Sequence, residues 1–182
     1  MTRIALLPWA ALLLASPATA QVGVAPPSGF IVAATQGQVS VTGTTSVTNV
    51  AALRVPANSV GRNGHVEIKA LVNFTNSANN KVLGIRWGTT AGATSGAPAT
   101  FGTFNTAATA QVLAAYRNNN ATNAQVSYNA TTIAPFGSTA NALSAGAIDT
   151  TVDSWINLDL QLALGTESIT LVHAYAVVFP AS

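Results

Sequence analysis

The 182-residue chain contains no cysteine. Disulfides and thiolate metal sites are therefore excluded, and stability has to come from packing or from association between copies. Charge is scarce as well, with seven Lys and Arg, five Asp and Glu, and 7% charged residues in total. Setting aside Arg3, near the N-terminus, leaves six basic residues against five acidic ones, and the six are scattered. Phosphate recognition needs clustered positive charge, so nucleic acid is not an expected partner. No window sustains a helical period, and no apolar run is long enough to span a bilayer. What is abundant is small and neutral: Ala and Val supply much of the 49% hydrophobic share, and Thr, Asn, Ser and Gly fill in around them. This is the composition of a β-protein with an uncharged polar skin.

The first 20 residues have the layout of a secretory signal peptide. Arg3 precedes the apolar run Ile4 to Leu14, and Ala18 and Ala20 supply the small residues before a cut ahead of Gln21. The alternative is a retained apolar segment that packs against a partner. Residues 21–29, QVGVAPPSG, read as an extended arm. The remaining stretch, 30–182, is long enough for one domain with its own core.

Within it, nine runs carry strand-like patterning: 30–34, 38–42, 47–55, 65–74, 82–89, 110–116, 124–128, 155–163 and 168–179. Short strands at this spacing, punctuated by Gly, Asn and Pro, predict an all-β fold, an antiparallel β-sandwich of about eight to ten strands. The clearest alternation is in 64–89. Val66, Ile68, Ala70, Val72 and Phe74 share one face, with Glu67, Lys69 and Asn73 on the other; after an Asn-rich loop, Leu83, Ile85 and Trp87 alternate with Arg86. This reads as a half-buried antiparallel hairpin. Segments 89–109 and 130–151 read as surface loops, in which Phe101, Phe104 and Phe136 are expected to anchor in the core.

The last two strands differ in character. Ile156, Leu158, Leu160 and Leu162 alternate with Asn157, Asp159 and Gln161, which predicts one wet face. In the final strand, strict alternation puts Ile169, Leu171, His173, Tyr175, Val177 and Phe179 on one side and Val172, Ala174, Ala176 and Val178 on the other. Both sides are apolar, as in a strand covered twice. The small-residue strip Val172, Ala174, Ala176 and Val178 is thus a candidate oligomer interface in a homo-oligomer, with the N-terminal arm or an intramolecular loop as the competing cover.

Chemistry is hard to find. Catalysis needs a nucleophile beside a base, paired carboxylates or a metal cluster. His65 and His173 are isolated, and two histidines do not make a zinc site. Asp149 and Asp153 flank a turn in IDTTVDSW, where Asp bonds its own backbone; use of the pair as in a glycosidase is a distant second reading. Trp87 belongs to the core by its alternation. The Asn-rich loops are more suggestive, because amides donate and accept and so suit sugar hydroxyls. Candidate loop contacts are Asn76, Asn79 and Asn80, and Asn118, Asn119 and Asn120, although Asn is also a common turn former. Asn-x-Ser/Thr triplets begin at Asn73, Asn120 and Asn129, as chance allows in a chain of this composition. No enzyme, cofactor or metal is expected.

The phrases FTNSANNK (74–81), VLGIRWG (82–88), YRNNNATNAQV (116–126), IDTT (148–151) and TESITLVHAYAVVF (166–179) together resemble a jelly-roll-like module of bacteriophage virion proteins. Tail-fibre and capsid surface proteins are the nearest kinds. The resemblance implies a trimer-forming jelly roll displayed on a particle, in contact with other virion proteins and in some cases with a host surface glycan. It brings no defined binding residues. The chain departs from tail fibres in its signal-peptide-like start and in having no coiled-coil shaft, which leaves capsid decoration or a secreted glycan-binding, adhesive bacterial protein as alternatives. The expected location is the virion surface if the chain is phage-encoded, and otherwise outside the cell.

Overall fold

The computed structural model describes residues 29–128 and 143–181. The signal-peptide-like segment, nearly all of the arm, Asn129 and Phe136 lie outside them. Eleven strands and no helix occur among the described residues: β1 (Phe30–Ala34), β2 (Val39–Thr42), β3 (Thr48–Val55), β4 (His65–Phe74), β5 (Lys81–Gly88), β6 (Ala99–Phe104), β7 (Thr109–Asn118), β8 (Gln125–Tyr128), β9 (Leu143–Gly146), β10 (Ser154–Leu162) and β11 (Ser168–Phe179). They form two antiparallel sheets. One has the order β1-β11-β4-β7-β8-β9, with β2 also paired to β11, and the other has the order β3-β10-β5-β6. The expected antiparallel sandwich is what forms, and each of the nine patterned runs becomes a strand. The two extra strands, β6 and β9, lie in segments read as loops. Both are short and contain Gly and Ala, whose small side chains leave little alternation to detect.

The 64–89 block is not a hairpin. β4 pairs with β11 and β7, whereas β5 pairs with β10 and β6, so residues 75–80 carry the chain from one sheet to the other. Alternation shows that each strand has one core face, but it does not distinguish strands lying side by side from strands facing each other across the core. Val66, Ile68 and Val72 thus meet Leu83, Ile85 and Trp87 face to face, all fully buried. Tyr116 of β7 reaches across the same core. Its hydroxyl donates to the Ile85 carbonyl, its ring lies 6.0 Å from that of Trp87, and burial pushes its pKa upward. The Trp87 indole N–H donates to Ser154 Oγ at 2.9 Å. Each large aromatic thus has a partner for its polar atom, which burial requires.

β10 does not keep a wet face, because it is central in its sheet and its outer side is covered. Asn157 accepts from the Gly92 N–H at 2.7 Å and donates to the Thr90 carbonyl at 2.9 Å, which folds the 89–92 segment over the strand. Asp159 pairs with Arg86 at 2.7 Å, and the Arg86 guanidinium in turn lies 4.7 Å from the centre of the Phe101 ring. Burial pushes the Asp159 carboxyl above its ordinary pKa, even with Arg86 beside it. Gly84 makes room for this carboxylate, since a Cβ there would lie 2.3 Å from Asp159 Oδ1.

β11 holds the main correction. Its register against β4 runs Leu171 to Val72 and then His173 to Leu71, so Val172 is an extra, unpaired residue in a β-bulge. Because side chains alternate with period two, one inserted residue exchanges the faces for the rest of the strand. Ile169 and Leu171 point inward before the bulge; Ala174, Ala176 and Val178 point inward after it, all fully buried in this chain's own core. Three of the four residues proposed as an oligomer interface, Ala174, Ala176 and Val178, are therefore covered by the opposite sheet of the same molecule, Val172 is half-buried at the bulge, and His173, Tyr175, Val177 and Phe179 move to the outer face. Along its outer edge β11 is joined by β2 and β1 in turn, and Thr35 between them bridges the kink: its N–H donates to the Ala174 carbonyl at 2.8 Å and its Oγ1 accepts from the Ala174 N–H at 3.0 Å.

This register has a direct consequence. Ala176→Glu places an unpaired carboxylate in the core at a cost of at least several kcal/mol, a large part of a typical total stability of about 5–15 kcal/mol. It is expected to abolish the cooperative thermal transition seen by circular dichroism, whereas Val177→Glu on the outer face keeps it. The reverse pattern would show that the bulge is misplaced.

Candidate functional site

The residues that attract attention in the sequence fall into three groups, two at opposite ends of the sandwich and one on an outer face. The first is built by FTNSANNK. Lys81 opens β5 with its side chain fully buried, and its ammonium lies 3.0 Å from Glu167 Oε2, 2.5 Å from Ser77 Oγ and 2.8 Å from the Asn79 carbonyl. Ser77 Oγ donates to Glu167 Oε1 at 2.5 Å, and Asn79 Nδ2 donates to the same oxygen at 2.9 Å. Donors surround the carboxylate: the Ser77 hydroxyl first, then the Asn79 amide and the Lys81 ammonium, hold Glu167 down to a pKa of about 2. The 75–80 crossover is thereby clasped to the turn before β11. Asn79 is part of the clasp. Asn76 and Asn80 are exposed, and Asn80 accepts weakly from Asn105 at 3.4 Å.

The second group is built by YRNNNATNAQV together with IDTT. Asn118 is fully buried, not presented to solvent. Its Nδ2 donates to the Gly61 carbonyl at 2.6 Å and to Thr150 Oγ1 at 3.0 Å, and its Oδ1 accepts from Gln125 Nε2 at 2.8 Å. Gln125 also exchanges two hydrogen bonds with the Ile148 backbone, at 2.9 and 2.7 Å, and Thr150 Oγ1 donates to the Thr122 carbonyl at 2.8 Å. Asn118 is thus corrected from a loop contact to a structural amide. Asn119 and Asn120 are exposed; Asn120 adopts φ 56°, as a turn asparagine does, and its carbonyl accepts from Arg62 at 3.1 Å. His65 at the start of β4 pairs with Arg117, and Asn73 near its end pairs with Thr109. The two Asn-rich loops therefore lie about 30 Å apart and cannot grip one small ligand together.

The acidic residues have structural partners. Asp149 accepts from the Thr151 hydroxyl and N–H, at 2.7 and 2.9 Å, and both bonds lower its pKa. Asp153 is held low by Arg54 and then by the Ala57 N–H. These are the turn roles expected from IDTTVDSW. Among the described residues, no group of three or more His, Asp or Glu could hold a metal ion.

The third group lies on the outer face of the larger sheet. Beyond the bulge, β11, β4 and β7 bring side chains into two neighbouring cross-strand rows, Tyr175–Lys69–Leu113 and His173–Leu71–Gln111. Between them is a shallow depression of about 190 Å³ lined by Lys69, Ala70, Leu71, Gln111, His173 and Tyr175. The His173 and Tyr175 rings are 5.5 Å apart and tilted by 42°. By contrast, His65 stacks flat on Phe179 at 4.5 Å and is a packing residue. Sequence reasoning missed this cluster because unbroken alternation points Tyr175 inward. The signal was the polar tips of His173 and Tyr175, which are better placed in water than in the core beside Leu171.

Comparison with family models, with curated proteins and with solved structures gives no match to this chain.

Asn118→Ala strands the Gln125 amide and the Gly61 carbonyl and is expected to cost about 1–3 kcal/mol, while exposed Asn119→Ala stays within about 0.5 kcal/mol; urea unfolding measures both. A second expectation concerns acid. A carboxyl whose folded pKa is depressed stabilises above its unfolded pKa, 4.5 for Glu167, and loses that contribution as pH falls toward about 2. Glu167→Gln should therefore lower the urea midpoint at pH 6 and flatten its fall between pH 4.5 and 2. An unchanged acid limb would contradict the clasp.

Proposed function

We propose that this chain is a non-enzymatic virion surface protein of a bacteriophage, a displayed β-sandwich that takes part in capsid decoration or host attachment. The observation that carries this reading is the path of the chain. The orders β2-β11-β4-β7 and β3-β10-β5-β6 support a jelly-roll wrapping, with successive strands passing between the sheets as two Greek keys, an architecture used by viral capsid and lectin domains. Fold alone does not fix function, so a second support matters. Of the phrases that carry the resemblance to phage proteins, FTNSANNK, YRNNNATNAQV and IDTT supply most of the two polar clasps while VLGIRWG and TESITLVHAYAVVF form strands β5 and β11, as suits a module recognised by its scaffold and not by a reaction centre. Any assembly, trimeric as in the proteins it resembles, must use surfaces other than Ala174, Ala176 and Val178. Ile31 and Leu113, 64% and 60% exposed, are apolar residues open for such contact.

The second reading is a secreted adhesive or glycan-binding bacterial protein, favoured by the signal-peptide-like residues 1–20. Mass spectrometry separates the two. If the proposal holds, the chain is found in purified phage particles with Met1 or Thr2 as its first residue. If it is found only in the cell-free medium, beginning at Gln21, the virion reading is overturned in favour of secretion.

A further inference from the structure

We infer that the depression beside His173 and Tyr175 is a saccharide-binding site that takes a sugar bearing a carboxylate. The inference deepens the attachment reading by naming a site and a ligand class. The site is presented by the three hydrogen-bonded strands β11, β4 and β7, not by loops, so its geometry is fixed by the sheet. Its two rows of side chains sit on strands about 4.8 Å apart, which makes the cluster about 10 Å across, the scale of one or two sugar rings. Its volume of about 190 Å³ is below the roughly 300–1,000 Å³ of pockets that enclose drug-sized ligands. A ring lying against the sheet fits it; a buried ligand does not.

The chemistry is mixed in the way a sugar requires. A pyranose has an apolar C–H face and a rim of hydroxyls. Tyr175, His173 and Leu71 offer apolar and aromatic surface to the first, and the Gln111 amide, the Tyr175 hydroxyl and the His173 imidazole offer donors and acceptors to the second. Among the described residues, none of the polar ends of Lys69, Gln111, His173 and Tyr175 is engaged in a hydrogen bond or ion pair. The buried amides Asn118, Gln125 and Asn157, by contrast, are all hydrogen-bonded within the chain. Lys69 decides the ligand's charge. Lys69 lines the depression and carries an ammonium with three donors, and a charge-assisted bond to a carboxylate is stronger than one to a neutral hydroxyl. The bulge makes the arrangement possible: with Val172 paired in regular alternation, His173 and Tyr175 would face the core and the outer surface of β11 would carry Ala174 and Ala176.

The test uses the full chain and saturation-transfer NMR with glucuronic acid and N-acetylneuraminic acid, and with glucose as the neutral control. The acidic sugars are expected to receive saturation from the protein, and glucose much less. Lys69→Met should weaken the acidic sugars by about tenfold or more and leave glucose unchanged, while Tyr175→Ala should abolish transfer for all three. Both side chains lie on the outer face, so each variant should retain its thermal transition, checked by circular dichroism. Transfer that persists in Tyr175→Ala, or no transfer from the wild-type chain at millimolar sugar, overturns the site. Binding of the labelled chain to bacterial cells keeps the two claims apart: if wild type and Tyr175→Ala adhere equally, attachment stands and this site falls, and if the wild type neither adheres nor binds sugar, both fall.

Discussion

The arrangement of this molecule turns on one unpaired residue in its last strand. β11 is an interior strand of the larger sheet, with β1 and β2 on one edge and β4 on the other, and the bulge at Val172 sets the inward face of everything after it. Upstream, large Ile169 and Leu171 fill the core; downstream, Ala174 and Ala176 do, and Val178 closes that end. The small residues let the opposite sheet approach closely where Trp87 and Tyr116 already occupy much of the space between the layers. On the edge away from β4, Thr35 bonds Ala174 with both its backbone and its hydroxyl and so spans the interval between β2 and β1. The core packing and the exposed aromatic pair are therefore two results of a single local event.

The ends of the sandwich are held by a different means. A chain with no disulfide must fix its crossovers through packing or polar networks, and here each end has one. At one, a buried Lys81–Glu167 pair is surrounded by Ser77 and Asn79; at the other, Asn118 and Gln125 bind backbone groups from three separate segments. Networks of this kind stabilise only when every member is satisfied, because a lone buried charge or amide is expensive. That condition accounts for Ser77, Asn79, Asn118 and Gln125, whereas Asn76, Asn80, Asn119 and Asn120 stay exposed.

Much of the fold was legible because alternation is a strong signal wherever one face is buried. Val66 to Phe74 and Leu83 to Trp87 announced their core sides correctly, as did Trp87 as a core residue. What they could not announce was which strand lies beside which, since pairing partners lie far apart in the sequence, and so the block read as a hairpin spans two sheets. Asn157 and Asp159 looked wet because polar residues in alternation usually are; their burial depends on the 89–92 segment and Arg86, which no local pattern reveals. The IDTT turn was readable from residue chemistry alone. The candidate site was not, because a bulge leaves no mark in composition and only the polar tips of His173 and Tyr175 hinted at it.

Charge distribution ties the scaffold to its surface. Of the few charged side chains, Lys81, Glu167, Arg86 and Asp159 are drawn into two pairs beneath the surface, and Arg54 and Asp153 neutralise each other at the rim. The other charges among the described residues, Arg62, Lys69 and Arg117 against Glu67 and Asp149, are few and of both signs. Such a surface cannot steer a partner from a distance, so association proceeds without the rate enhancement that opposite potentials provide and with little dependence on salt. Recognition then has to be short-ranged, decided by shape, hydrogen bonds and individual charges. On that nearly neutral skin Lys69, held between Tyr175 and Leu113 and without an internal counter-ion, has more influence on what can settle beside it than the same residue would have on an ordinary charged surface.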